Sequence, residues 1–461
     1  MAYASSADFA ESEPIITDNV NYFTVPPVNV HADNVSWSEI EPTSISTDGT
    51  RNVSFTISGN SPRYVDLSKT ELKVKLKIIN TGTKAPFVQD AAHSALPIDM
   101  FLHTMWKSVD IKINGTLVSS SSTDYMYKAF LENLLSYSES TRRIQMSSIG
   151  FTGESGNFAA RLPDKAPYNT GLKKRKEWFT SLAKNQPAPT FVEFAGKLCA
   201  DICNQDRLIL NNCRIFIELF PNTDAFRLIT FPDNTIAKVE IEDIKLNVCK
   251  VQIDSRVHMG ISKGLDLTPA LYPFRKSQII THNINKDVFS ATFEDQFQGL
   301  VPNRLIIGLV DAQSYAGSYT SNPFHFQDFN VEEVGFYVDN VPTPTKPIEI
   351  NFSQCKYLEG LMSLYKVSGK SNDNTDIGIS RKNYREGYTL FGFEVNPSTS
   401  DDDFLYLGKC RRGSTKISLR FPKSIPKQVT IIIYATFPEI MEIDHSRVVR
   451  LRNIDTIPIQ R

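Results

Sequence analysis

No stretch of the 461 residues approaches the roughly 18 consecutive apolar positions that a membrane-crossing helix requires. The N-terminus has no basic segment leading into an apolar run, so neither a bilayer span nor a signal peptide is expected. Basic residues are missing from one end: no Lys or Arg precedes Arg51, whereas Asp8, Glu11, Glu13, Asp18, Asp33, Glu39, Glu41 and Asp48 all do. Phosphates would repel such an arm, which excludes a genome-binding N-terminal tail. The whole chain carries 50 basic and 51 acidic residues, a net charge of −1, so no global field draws it to nucleic acid and little direct binding is expected. If either terminus touches a genome it is the mildly basic C-terminal one, with Arg447, Arg450, Arg452 and Arg461.

Chemistry is equally sparse. The six cysteines, at 199, 203, 213, 249, 355 and 410, form no dense framework and read as reduced thiols of a soluble protein made in the cytosol. In that setting the sequons at Asn34, Asn52, Asn114 and Asn351 carry no meaning. Cys199, Cys203 and Cys213 hint at zinc, but neither repeated Cys pairs nor a Cys pair with a His pair is present. Cys213 also falls on the apolar face of a strand, where a thiol packs as a small hydrophobe. The seven histidines are scattered, with no i, i+4 pair, and phosphate-binding glycine loops are missing. Gly260-Ile261-Ser262-Lys263-Gly264 matches G-x-S-x-G, but a nucleophile elbow needs a helix immediately after its strand, and Pro269 and Pro273 interrupt the next ten residues. A polar linker is the better reading. Asn372, Asn374 and Asp376 sketch a calcium loop that fails at Ile377 and Asn383, where glycine and glutamate are required. Asp401-Asp402-Asp403 reads as a solvated loop. Lys173-Lys174-Arg175-Lys176 fits a nuclear-import signal, a phosphate contact or a solvated loop. No catalytic residue, cofactor site or metal site is expected.

The chain does have many short strands. Phe (29) and Tyr (17) are plentiful and favour strands, and Pro (25) exceeds Gly (22), as loops between short strands require. In ELKVKLKII (71–79), Leu72, Val74, Leu76 and Ile78 face one side and three lysines the other, the mark of a half-buried strand. VDIKI (109–113) runs through Asn114-Gly115 into Thr116-Leu117-Val118, a tight hairpin. Further strands lie at 191–198, at 213–220 and over 237–253, the last with a bulge near Glu242-Asp243. The second half repeats the rhythm at 304–310, 331–338, 388–395, 415–421 and 428–437, without a residue-level repeat. One segment differs: in 125–137, Tyr127, Phe130, Leu131, Leu134 and Leu135 recur at helical spacing behind Thr123 or Asp124 as cap. That helix should bury Leu131 and Leu134 and turn Glu132 to solvent. Residues 254–275 lose the period, which places the division between halves there. The pattern argues for β-sandwiches or barrels, jelly rolls among them, in two domains of the roughly 200–250 residues common for all-β folds.

Several segments together resemble the major capsid protein of Maverick/Polinton elements and the related adintoviruses. They are IDMFLHTMWKSVDIKINGTLVS (98–119), YMYKAFLENLLSY (125–137), NPFHFQDFNVEEVGFYVDN (322–340), REGYTLFGFEV (385–395) and QVTIIIYATFPEIMEID (428–444), in that family's order. The resemblance implies an all-β chain of two tandem antiparallel jelly-roll domains with a few short helices, hexon-like but without room for tall loops. A flexible acidic arm at 1–20, a first jelly roll at 21–255 and a second at 256–461 with a C-terminal tail are expected. It further implies a homotrimer forming pseudo-hexagonal tiles of an icosahedral shell, with neighbouring capsomers and a single jelly-roll vertex (penton) protein as partners. The expected location is the virion capsid, after synthesis in the host cytoplasm, with the nucleus a candidate place of assembly. Two other classes compete. A lectin-like or receptor-binding virion protein would use loop tips such as Asp401 to Asp403 beside Phe404, and a jelly-roll enzyme would need histidine clusters that are absent.

Overall fold

The computed structural model describes residues 32–44, 49–87, 93–121, 123–179, 190–233, 235–371, 374–395 and 410–453. The acidic arm expected at 1–20, the Asp401–Asp403 loop and Arg461 lie outside them. In the first half the principal strands are β1 (Ala32–Ile40), β2 (Val53–Ile57), β3 (Tyr64–Asn80), β4 (Trp106–Ile113), β5 (Thr116–Ser120), β6 (Val192–Lys197), β7 (Ile215–Pro221) and β8 (Ala237–Ile253). They build two antiparallel four-stranded sheets, ordered β1-β8-β3-β6 and β2-β7-β4-β5. The second half has β9 (Ala270–Ile284), β10 (Ser290–Glu294), β11 (Arg304–Asp311), β12 (Glu333–Val338), β13 (Val341–Pro342), β14 (Leu390–Glu394), β15 (Thr415–Arg420) and β16 (Val429–Ile443). Its sheets run β9-β16-β11-β14 and β10-β15-β12-β13, with Val449–Asn453 added beside β16 and Ile348–Glu349 beside β12.

Shifting every label by the strands of one half converts the first pair of sheets into the second. This order, in which the first strand lies beside the last and the second beside the seventh, is the jelly roll. The chain is therefore all-β, two jelly rolls in tandem. Among the described residues, no strand of one half pairs with a strand of the other.

The local chemistry explains the elements. On β3, Leu72, Val74, Leu76 and Ile78 are buried, while Lys73, Lys75 and Lys77 stay on the wet face. Asn114 and Gly115 take φ of 48° and 86°, the two positive angles that a two-residue hairpin turn demands. β8 slips register between Ile241 and Asp243, where the bulge is expected, and again between Asn247 and Cys249. The stretch 254–275 departs from expectation. It holds the helix Ser255–Leu267, capped by Asp254, with β9 directly after it. Leu265 is the buried residue of that helix, so its apolar stripe is too thin to stand out, and Gly260 and Gly264 face open space. Pro273 lies inside β9, which is an edge strand, where a missing N–H is tolerated.

Helix α1 (Tyr125–Ser136) is the expected one, but it has no wet side: from Tyr125 to Leu135 every residue except Glu132 is buried, Lys128 included. Both jelly rolls pack on it. Glu132, expected in solvent, instead lies against the second half. We predict that Leu131→Ala, at a site 1% exposed, costs ~2–5 kcal/mol through the cavity it leaves. Leu267→Ala, at a site 85% exposed, should stay within ~0.5 kcal/mol. Urea unfolding of the two variants checks this, and equal losses would contradict the packing.

Candidate functional site

Several of the reactive groups singled out in the sequence are engaged in the fold. Ser262 is inside the Ser255–Leu267 helix, not at a strand-to-helix turn, and its hydroxyl donates to the carbonyl of His258 at 3.0 Å. A hydroxyl so placed spends its proton on the helix backbone and lacks the context of a nucleophile elbow. Cys199, Cys203 and Cys213 are free thiols, and burial pushes Cys199 up to about 12 and Cys203 up to about 11. They remain protonated at neutral pH, unlike a thiolate nucleophile or ligand. Among the described residues no group of three His, Cys, Asp or Glu side chains is placed to hold a metal ion. Asn372 lies outside the described residues, while Asp376 Oδ1 accepts from the backbone N–H of Gly378 at 2.6 Å and of Glu139 at 3.3 Å.

The basic run 173–176 forms part of a second helix, α2 (Thr170–Glu177), and most of its charge is spent inside the fold. Arg175 is 1% exposed and donates to Thr152 Oγ1 and Glu154 Oε1, both at 2.7 Å. Lys176 pairs with Asp164, and Lys174 donates to the carbonyl of Thr152 at 3.3 Å. Lys173 is the exposed member, so the run does not present four charges together to a phosphate.

What the fold does concentrate is the seam between the halves. Its centre is aromatic: Phe130 of α1 stacks on Phe324 with centroids 4.1 Å apart and planes 5° from parallel. Tyr127 stacks on Tyr315 at 5.7 Å, and its hydroxyl donates to the carbonyl of Pro323 at 3.2 Å. Phe158 meets Tyr388 edge-on at 5.1 Å and lies so close to Gly387 that an added Cβ would sit 2.4 Å from its ring. Glycine is required there by space. Aromatic pairs of this kind contribute about 0.5–1.5 kcal/mol each beyond their buried area.

Two buried polar clusters flank the aromatics. In one, Glu154 Oε1 accepts from Arg175 and, across the seam, from Asn322 Nδ2 at 3.2 Å, while the Glu154 N–H donates to Tyr388 Oη at 3.0 Å. Asp99 completes it, accepting from the N–H groups of Met100, Thr152 and Gly153 at 3.1, 2.7 and 3.1 Å. In the other, Lys128 Nζ lies 2.6 Å from Asp201 Oδ1 and 4.0 Å from Glu132 Oε1. Burial opposes the Lys128 charge, but Asp201 and Glu132 outweigh it and raise its pKa. Burial, helped by Asp201, lifts the Glu132 carboxyl to about 7 against the pull of Lys128. Sequence periodicity could not reveal either cluster, because its members come from separate strands and loops.

The outer face of the first sheet is electrically balanced. Lys73 pairs with Glu39 at 3.3 Å, Lys75 with Glu242 at 3.5 Å, Lys77 with Glu240 at 3.4 Å and Lys245 with Glu41 at 3.4 Å. Such exposed pairs add little stability, but they leave no basic stripe along the sheet. At its margin, β1 is an edge strand on which Val35 and Trp37 remain about half exposed. No helix among the described residues is long and apolar enough to cross a membrane.

These features define a double jelly-roll chain whose buried charged clusters lie between its two halves. The fold is shared across nearly the whole length with solved virus structures. A chain of the Sputnik virophage cryo-EM structure superposes with a TM-score of 0.57 at 12% identity, covering 97% of this chain and 96% of that one. The mavirus major capsid protein gives 0.54 at 10% identity over 100% and 98% of the two chains. The Faustovirus major capsid protein gives 0.55 at 8% identity over 94% and 95%. In sequence, an uncharacterized protein of Caenorhabditis elegans, F54H12.2, is 26% identical over 410 residues, 85% of this chain and 91% of its own length. No family model matches the chain.

Removing Arg175 would leave Glu154 buried without its cation. We predict that Arg175→Ala destabilises by ~3–5 kcal/mol, the usual loss when one partner of a buried pair is deleted. Lys173→Ala should change stability by no more than ~0.5 kcal/mol. Denaturant unfolding distinguishes the two; equal, small effects would mean that the run is a solvated surface.

Proposed function

We propose that the chain is a structural, non-enzymatic major capsid protein of a virus or virus-like transposon of the Maverick/Polinton kind. The observation that carries this reading is the repeated jelly roll: one strand order occurs twice in one chain, and the two copies are locked by a buried seam. The full-length fold likeness to the mavirus and Faustovirus major capsid proteins supports it. We place the division between the domains at 255 and 256, with residues 1–20 as an arm ahead of the first.

A tile must be a discrete unit of fixed shape. Three copies around a closed threefold axis would set six similar domains in a near-hexagonal outline, and closed cyclic assemblies leave no open ends to polymerise. Such tiles would pave an icosahedral shell against neighbouring capsomers, with a separate single jelly-roll protein at the vertices. The chain would be made in the host cytoplasm and end in the virion, with the nucleus a candidate site of assembly. The balanced Lys/Glu face and the near-zero net charge favour contact by shape and apolar burial over attraction to the genome.

Light scattering coupled to size exclusion should return three times the chain mass, and binding to duplex DNA at physiological salt should be weaker than micromolar. A stable monomer across micromolar concentrations would contradict the capsomer, and tight DNA binding would contradict the electrostatic argument.

A further inference from the structure

Three side chains at the seam share one hydroxyl. Ser277 Oγ, on β9 of the second half, lies 2.6 Å from Asp201 Oδ1 and 2.9 Å from Glu132 Oε1, both of the first half. A serine hydroxyl has one proton and can donate to only one of these oxygens. Asp201 Oδ1 also accepts from Lys128 Nζ at 2.6 Å and from the Ser277 N–H at 3.2 Å, the donor set of an ionised carboxylate. The serine proton therefore belongs to Asp201. The Glu132 contact is then a hydrogen bond only if Glu132 brings its own proton and donates it to Ser277 Oγ. Tyr434 Oη donates to the same Glu132 oxygen only over 3.4 Å, a long and weak bond beside the 2.9 Å contact with Ser277.

We propose that the seam holds a proton on Glu132, shared with Ser277, and that this proton fastens the two jelly rolls together and makes the closure of the seam pH-dependent. The surroundings fit. From its own helix Glu132 faces Lys128 and Tyr125, with Tyr137 just beyond; from the Asp201–Asn204 turn and its approach, Asp201 and Cys199; from β9 and β16, Ser277 and Tyr434, with the Lys276–Glu439 pair beyond Asp201. That set places three carboxylates against two lysines, and Lys276 is taken by Glu439 at 2.9 Å. Glu439 is itself buried, and burial pushes its own carboxyl up, so it brings no positive charge to the cluster. A cavity of about 440 Å³ lined by Lys128, Ser277 and Glu439 adjoins the cluster. The Glu132 side chain keeps 17% of its surface open, so the proton can exchange with solvent.

Linkage fixes the sign. The folded carboxyl titrates at about 7 and the ordinary one near 4.5, so between these values the folded chain binds a proton that the unfolded chain has released. Stability therefore falls as pH rises across that window, and the contribution is whole below it and gone above about 7. This device is independent of whether the chain builds a shell.

The test is thermal unfolding of the full chain from about pH 5 to pH 9, wild type beside Glu132→Gln. The amide of the variant donates to Ser277 at every pH, so its melting temperature should lack the decline of a few degrees that the wild type shows on passing through neutrality. A wild-type profile that is flat or rises over the window, or a variant that tracks the wild type, would overturn the proposal. Should the variant fail to fold, infrared difference spectra of the wild type decide. Loss of a protonated-carboxyl band near neutral pH supports a proton on Glu132, and no such loss refutes it.

Discussion

Helix α1 belongs to neither jelly roll alone, and that constraint organises the rest of the chain. It sits in the connection between β5 and β6 of the first half, yet its second face is completed by Phe324, Tyr315 and Pro323 from the other half. A helix buried all round cannot lose one partner without exposing a broad apolar surface. Side-chain packing at α1 thus constrains the angle between the domains more than the connecting helix does, in which Leu265 is the one buried residue. A second helix, Leu358–Val367, occupies the matching place between β13 and β14, so the two halves repeat their insertions as well as their strands.

The charged groups at the seam act with this packing. Burying Lys128, Asp201, Arg175 and Glu154 is costly unless each is paired with an opposite charge, and each is, although Arg175 Nε and Glu154 Oε2 are left without a hydrogen bond. Their contribution is geometric: Asn322 and Tyr388 on one side, and Ser277 on the other, satisfy them only in one placement of the halves. Such a restriction fixes the relative placement of the two halves more than it adds stability.

Much of this fold is legible in the sequence, for a physical reason. β3, β7 and β8 alternate because one face is wet, and the hairpin at Asn114-Gly115 needs two positive φ angles. β16 is buried along its full length, and its Ile431–Ala435 stretch reads as a continuous apolar run. The edge strand β1 and the five-residue β2 leave no such mark, being too exposed or too short for a period to register. The Ser255–Leu267 helix is hidden because it buries almost nothing, and its one signal is the Asp254 cap with Val257, Ile261 and Leu265 four apart. Glu132 is misplaced by helical spacing, which reports one buried face, because its cover, Ser277 and Tyr434, lies 145 and 302 residues away. The basic run misleads for the same reason: Arg175 finds Glu154 and Asp99 only once the fold is made.

The central claim is that two jelly rolls, fixed by one seam, make a tile of six domains from three chains. Negative-stain electron microscopy of the purified protein tests it most directly. The predicted field shows uniform, flat, near-hexagonal particles with threefold symmetry, alone or paving closed shells. A field of single two-lobed particles, or of pairs with variable angles between their lobes, would contradict it.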